Sequence, residues 1–263
     1  MKAYAAIFAS RFRALLQYRA AAIAGAGTQL FWGLVRVMIF EAFFQSSTGS
    51  QPMTYDQVVS YVWLGQALLL LTIPRMDSDV ATMIRTGDVA YELTRPLDLY
   101  TVWLVRAFSG RAAPLLMRGV PIGIIAALVF GLQPPGSLSA SLLFPISLLA
   151  ALLLAASLIV LANVSLFWTI SGEGVFHFIP VLVWFFSGIV IPLPLLPPWM
   201  QTFINFLPFR GLLDTPLRVY IGQLNGLDAF LAISAQIAWI LALVFIGRVT
   251  LSRGLRRLVI QGG

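Results

Sequence analysis

Long apolar runs broken by short polar segments dominate this chain. A helix needs about 20 mostly apolar residues to cross the hydrocarbon core of a bilayer. Six stretches approach that length, roughly 20–44, 55–74, 112–130, 142–168, 175–191 and 227–247. The fifth is short and runs into prolines. The pattern predicts an all-α membrane protein with six transmembrane helices. With no internal repeat and no low-complexity linker, residues 1–263 read as a single transmembrane domain.

Before the first span, residues 1–19 place Tyr4, Ile7, Phe8, Phe12 and Leu15 near one helical face, interrupted by Arg11. This loose amphipathic pattern predicts a helix lying in the membrane interface. Lys2, Arg11, Arg13 and Arg19 leave no uninterrupted apolar region before residue 20, which argues against a cleaved signal peptide.

Composition supports lipid as the solvent. Hydrophobic residues make up 59% of the chain and charged residues 10%, against about a quarter charged in soluble domains. The net charge of +7 comes almost entirely from arginine, since Lys2 is the only lysine. On a soluble protein that balance would point to nucleic acid. Here the arginines cluster beside apolar spans, which fits lipid head groups and excludes nucleic acid as the expected partner.

Arginine placement orients the chain. Arg75, Arg85, Arg95, Arg106 and Arg111 follow the second span, and Arg248, Arg253, Arg256 and Arg257 follow the last. Segments 45–54 and 131–141 hold no Lys or Arg. Basic segments stay inside the cell. Both termini are then cytoplasmic at an inner (plasma) membrane, in keeping with an even number of spans. Arg210 and Arg218, before the last span, are the exceptions.

Two stretches carry more than orientation. In the cytoplasmic segment 75–111, the acids Asp77, Asp79, Asp88, Glu92 and Asp98 stand among the arginines. Acids contribute little to topology, so the mixed charge points to a docking surface for a soluble partner. Gly87-Asp88 reads as a turn and a helix start, with Asp88 near the positive helix end. Pro96 is expected to stop that helix. The second stretch, 187–222, holds Pro192, Pro194, Pro197, Pro198, Pro208 and Pro216 among short apolar pieces. Broken helices at membrane depth need shielding by protein or a water-filled cavity. Segment 192–222 is therefore expected to form an outer re-entrant hairpin, with Trp199 at the interface level.

Charges inside the spans are few. Arg36 lies deep in the first span and Glu41 near its outer end. An intramembrane Arg costs about 2.5–3.5 kcal/mol on insertion scales, so both are expected to face protein, a pathway or a dimer seam. Glu173 and His177 stand near the turn Gly172-Glu173-Gly174 between the fourth and fifth spans. Catalysis is not expected. With only Lys2, the chain has no phosphate-binding Gly-x-x-x-x-Gly-Lys loop. It lacks cysteine, a second histidine for a usual metal site and a Gly-x-Ser-x-Gly elbow.

The outer pattern Ser187-Gly188…Pro192…Leu196-Pro197…Trp199…Leu207-Pro208 resembles the re-entrant hairpin of type-2 ABC exporter permeases. The pattern Arg85-x-Gly87-Asp88…Leu93-x-Arg95-Pro96-Leu97 resembles their multidrug or viologen-type branch. The resemblance implies dimerisation with an identical or sister permease. It also implies separate ATP-binding subunits that carry the ATP and Mg, and no cofactor on this chain. Arg85, Gly87, Asp88, Glu92, Arg95 and Pro96 would couple to the ATPase. Pro192, Pro197, Trp199 and Pro208 would belong to the outer gate. The implied function is export of an amphipathic, drug-like or lipid-linked substrate. An ion-coupled secondary transporter or channel is the alternative; it would need intramembrane acids or paired broken helices.

Overall fold

In a computed structural model, residues 2–73, 76–169 and 173–256 are described. Arg75, Arg257, the turn residue Gly172 and the side chain of Glu173 lie outside them. Among the described residues the regular elements are all helical. In chain order the α-helices are α1 (Lys2–Leu15), α2 (Arg19–Ser46), α3 (Tyr55–Ala67), α4 (Ser78–Thr86) and α5 (Val89–Leu93). There follow α6 (Leu99–Val129), α7 (Leu138–Val164), α8 (Glu173–Phe186), α9 (Pro198–Asn205), α10 (Asp214–Tyr220) and α11 (Gly226–Leu255). Single 3₁₀ turns extend α3 (Leu69–Thr72) and α7 (Ser165–Phe167), and lead into α9 and α10.

Among the described residues four helices are long and apolar enough to cross a membrane: α2, α6, α7 with its 3₁₀ turn, and α11. The second and fifth apolar stretches fold into shorter pieces. The second is α3 and its 3₁₀ turn. The fifth, α8, stops at Phe186 instead of 191, because Gly188 takes φ +88°.

The most deeply buried of the long helices is α7. Small residues on it (Ala151, Ala155, Ala156, Ser157) let its neighbours approach closely. Around it Leu152, Leu154 and Leu158 pack with Tyr61, Leu64, Leu212, Leu213, Leu217 and Leu243. By contrast, α2 exposes Ile23, Phe31, Trp32, Met38 and Ile39, a face suited to lipid or to another subunit.

The connections gather at two ends. At one end Gln223 donates to the Pro52 carbonyl (3.0 Å), the Gln133 N–H to Ser60 (3.1 Å) and the Gly136 N–H to the Tyr220 carbonyl (2.9 Å). At the other end α1, α4, α5 and the C-terminal part of α11 meet through Arg11, Asp77, Asp98 and Arg248. The segments expected outside share the first end, and those expected inside share the second.

The amino-terminal helix forms as expected, with none of its residues fully buried. It packs lengthwise on the start of α6. There the Asp98 N–H donates to the Tyr4 hydroxyl (3.0 Å), and the Phe8 and Phe108 rings lie 6.0 Å apart.

Candidate functional site: a tethered surface segment, a buried hub and an apolar cleft

The segment between Asp77 and Asp98 is a short double helix with one packed face and one open face. Val80, Ala81, Ile84 and Val89 are buried against Trp103, Ile159, Val160, Leu166 and Leu251. Asp77 caps α4 by accepting from the Asp79 N–H (3.2 Å), and Gly87, at φ +82°, ends it. Asp88 departs from the expected capping role. Its side chain makes no cap bond and instead accepts from the Thr86 hydroxyl (2.7 Å), closing a local turn. Next, α5 ends at Leu93, and Pro96 follows where no helix continues.

The segment read as 75–111 includes the start of a long helix. Asp98 starts α6 by accepting from the Thr101 N–H (2.9 Å), so Arg106 and Arg111 are residues of that long helix.

The open face carries Arg85, Asp88, Tyr91, Leu93, Arg95 and Pro96, all exposed. Tyr91 is 73% exposed and Leu93 50%, while Arg95 pairs with Glu92 at 3.1 Å. Apolar residues presented beside mixed charges suit a protein partner.

Ion pairs tether this segment at both ends. Asp77, almost buried, accepts from Arg11 of α1 (3.0 Å) and Arg106 of α6 (3.2 Å), and Asp79 from Arg106 (2.8 Å). At the far end Arg248 of α11 reaches Asp98 at 2.9 Å and lies 5.1 Å from the Tyr100 ring. Hydrogen bonding from Arg11 holds the Asp79 carboxyl below its usual range. Burial pushes Asp98 up, but hydrogen bonds from Thr101 and Arg248 outweigh it and leave that carboxyl low as well.

At the opposite end lies a hub that the sequence reading missed. Asp214 is 0% exposed and accepts from the Tyr61 hydroxyl at 3.0 Å, with Arg210 and Arg218 each 3.7 Å away. Arg210 and Arg218 stand four residues before and after Asp214, and this spacing was the readable signal. The Asp214 N–H also donates to the Ser187 carbonyl (3.1 Å), fastening α10 to the broken end of α8. Pro192 and Pro208 are buried beside this break, Pro197 is exposed and precedes α9, and Trp199 is 72% exposed.

Arg36 belongs to the same break. Its guanidinium donates to the Ile189 carbonyl, one of the groups the broken helix leaves without an intrahelical partner. Arg36 also lines a cleft of about 800 Å³ between α2, α3 and the end of α8. Trp32, Phe40, Trp184, Ile191 and Leu195 make that cleft chiefly apolar. Glu41 does not line it. It is exposed, accepts from Gln45 at 3.4 Å, and is not brought together with Arg36. His177 is an exposed residue of α8.

A search among curated proteins finds no match. The family model of the ABC-2 family transporter protein matches residues 30–262, which include the tethered segment, the hub and most of the cleft lining. The chain therefore belongs to the ABC-2 transporter family, as an integral membrane permease of an ABC transporter.

Proposed function

We propose that this permease is an exporter subunit that moves an amphipathic, drug-like or lipid-linked molecule, driven by ATP hydrolysis on separate subunits. The observation that carries this reading is the segment from Asp77 to Asp98. It exposes Tyr91 and Leu93 while ion pairs tie its ends to α1, α6 and α11. A partner that grips the open face pulls on three helices at once, which is what coupling to an ATPase requires. Arg85, Gly87, Asp88, Glu92, Arg95 and Pro96 form the docking surface.

The cleft beside Arg36 is this subunit's share of the pathway. Its volume lies within the usual range for small-molecule sites, and its aromatic walls suit apolar or cationic cargo. The exposed face of α2 closes it against a second permease, identical or sister. Glu41 is assigned to that seam, and Pro192, Pro197, Trp199 and Pro208 to the outer gate, which re-enters the membrane. Six crossings belong to this reading, with α3 and α8 as the second and fifth. The α3 run with its 3₁₀ turn measures about 28 Å, near the thickness of a hydrocarbon core. Both termini then face the cytoplasm.

Co-expression with a candidate ATP-binding subunit tests this reading. Stoichiometric co-purification and vanadate-sensitive transport are expected. Vanadate-insensitive transport by the chain alone would instead establish an ion-driven carrier.

A further inference from the structure

A second cleft, of about 340 Å³, lies at the arginine-rich end between α1, the start of α2 and α6. Arg11, Arg106, Arg111 and Arg118 line it against one carboxylate, Asp77. Arg11 and Arg106 are engaged by Asp77 and Asp79. Arg111 donates to the Leu70 carbonyl at 3.3 Å. Arg118 donates to the Ala21 carbonyl at 3.1 Å and, among the described residues, pairs with no carboxylate.

The Nε–H groups of Arg11 and Arg118 are buried without a hydrogen-bond partner. Gly25 leaves room for the Arg118 guanidinium, since a Cβ there would stand 2.4 Å from Cζ. A buried N–H donor left unused on a partly exposed cation is unfavourable, and an anion entering the cleft would answer it. The remaining lining is largely apolar, with Leu15, Ala22, Pro114 and Met117. Ile23 and Leu116, adjoining that lining in sequence, are exposed apolar residues.

From this arrangement we infer that the cleft binds the phosphate of an anionic glycerophospholipid, with the acyl chains lying over α2 and α6. The inference rests on the membrane placement proposed above, which puts this end in the inner leaflet. Arg118 supplies the charge and donor that no side chain answers, and Arg111 borders the same space. The lipid would pin α1 and α2 to α6, next to the ion pairs that hold the docking segment. Inorganic phosphate shares the anion chemistry, but the apolar lining favours the lipid.

The test uses the purified full-length chain in neutral detergent, where sidedness and transport play no part. Its failure is therefore distinct from failure of the exporter reading. Native mass spectrometry follows addition of equimolar phosphatidylglycerol and phosphatidylcholine. The wild type is expected to retain phosphatidylglycerol selectively, and Arg118→Gln to bind it about fivefold more weakly. Arg253→Gln, exposed near the end of α11, is expected to leave retention unchanged. Equal retention of the two lipids, or unaltered retention in Arg118→Gln, overturns the inference. Displacement of phosphatidylglycerol by equimolar inorganic phosphate makes the site one for a free anion and overturns the lipid assignment. Should Arg118→Gln fail to fold, wild-type melting decides. A rise in Tm with phosphatidylglycerol alone supports the site, and equal effects of all three additives overturn it.

Discussion

The phenolic hydroxyl of Tyr61 donates a 3.0 Å hydrogen bond to Oδ1 of Asp214, across 153 residues of sequence. Through it, α3 is fastened to α10, which the Asp214 backbone fastens in turn to the break after α8. Removing one member of a buried polar pair leaves the other unsatisfied, at about 1–3 kcal/mol. Breaking a buried ion pair costs about 3–5 kcal/mol. Tyr61→Phe is expected to lose the smaller amount and Asp214→Ala the larger, as measured by unfolding in detergent.

Gly188 sits directly beneath that bond. Its φ is +88°, and an added Cβ would stand 2.2 Å from the Tyr61 hydroxyl. Gly188→Ala is expected to destabilise through backbone strain and through this clash. In a Tyr61→Phe background the clash is relieved, so the double variant should be less damaged than the sum of the singles. Strict additivity would show that the hydroxyl and the break are independent.

Arg36 satisfies the Ile189 carbonyl and borders the apolar cleft. An unsatisfied backbone group in a lipid-shielded site costs several kcal/mol. Arg36→Gln is expected to unfold more readily than the wild type and to shift the concentration of substrate that half-stimulates ATP hydrolysis. Arg36→Ala that folds and transports normally would remove the residue from the pathway.

Acid is expected to weaken the tether at Asp98. Its folded carboxyl titrates below the unfolded value of about 3.9. The unfolded chain therefore binds a proton first as pH falls. The tether's full contribution is present above that value and is lost as pH falls through the folded pKa. A melting series from pH 7 to pH 3 should show a constant gap between wild type and Asp98→Asn above about pH 4 that narrows below it. A constant gap across the series would rule out titration of Asp98 as the cause.

The sequence made some parts legible and left others closed. Apolar length and arginine asymmetry located the long helices and the two ends, because lipid and charge act on stretches rather than on single contacts. Gly87 and Pro96 announced the turn and the stop around α5 through their backbone restrictions. Arg210 and Arg218 stood out as cations in a segment expected outside; their four-residue spacing to Asp214 was legible, but the bond from Tyr61 that completes the hub is tertiary. The pairing of Arg36 was equally closed to inspection. Its acceptor is a backbone carbonyl freed by a break 153 residues away, and sequence spacing to Glu41 gave no hint of it. The start of α6 at Asp98, ahead of the apolar run, depended on ion pairs that let Arg106 lie on a helix beside Asp77.

Because the chain has no cysteine, a single Tyr91→Cys substitution gives a clean reporter on the open face of the tethered segment. The measurement is labelling by a membrane-impermeant maleimide in intact and in permeabilised cells, followed by crosslinking with the ATP-binding subunit present. Labelling is expected only after permeabilisation, with protection by the ATP-binding subunit and a crosslink between the two. Labelling of position 91 in intact cells would contradict this expectation.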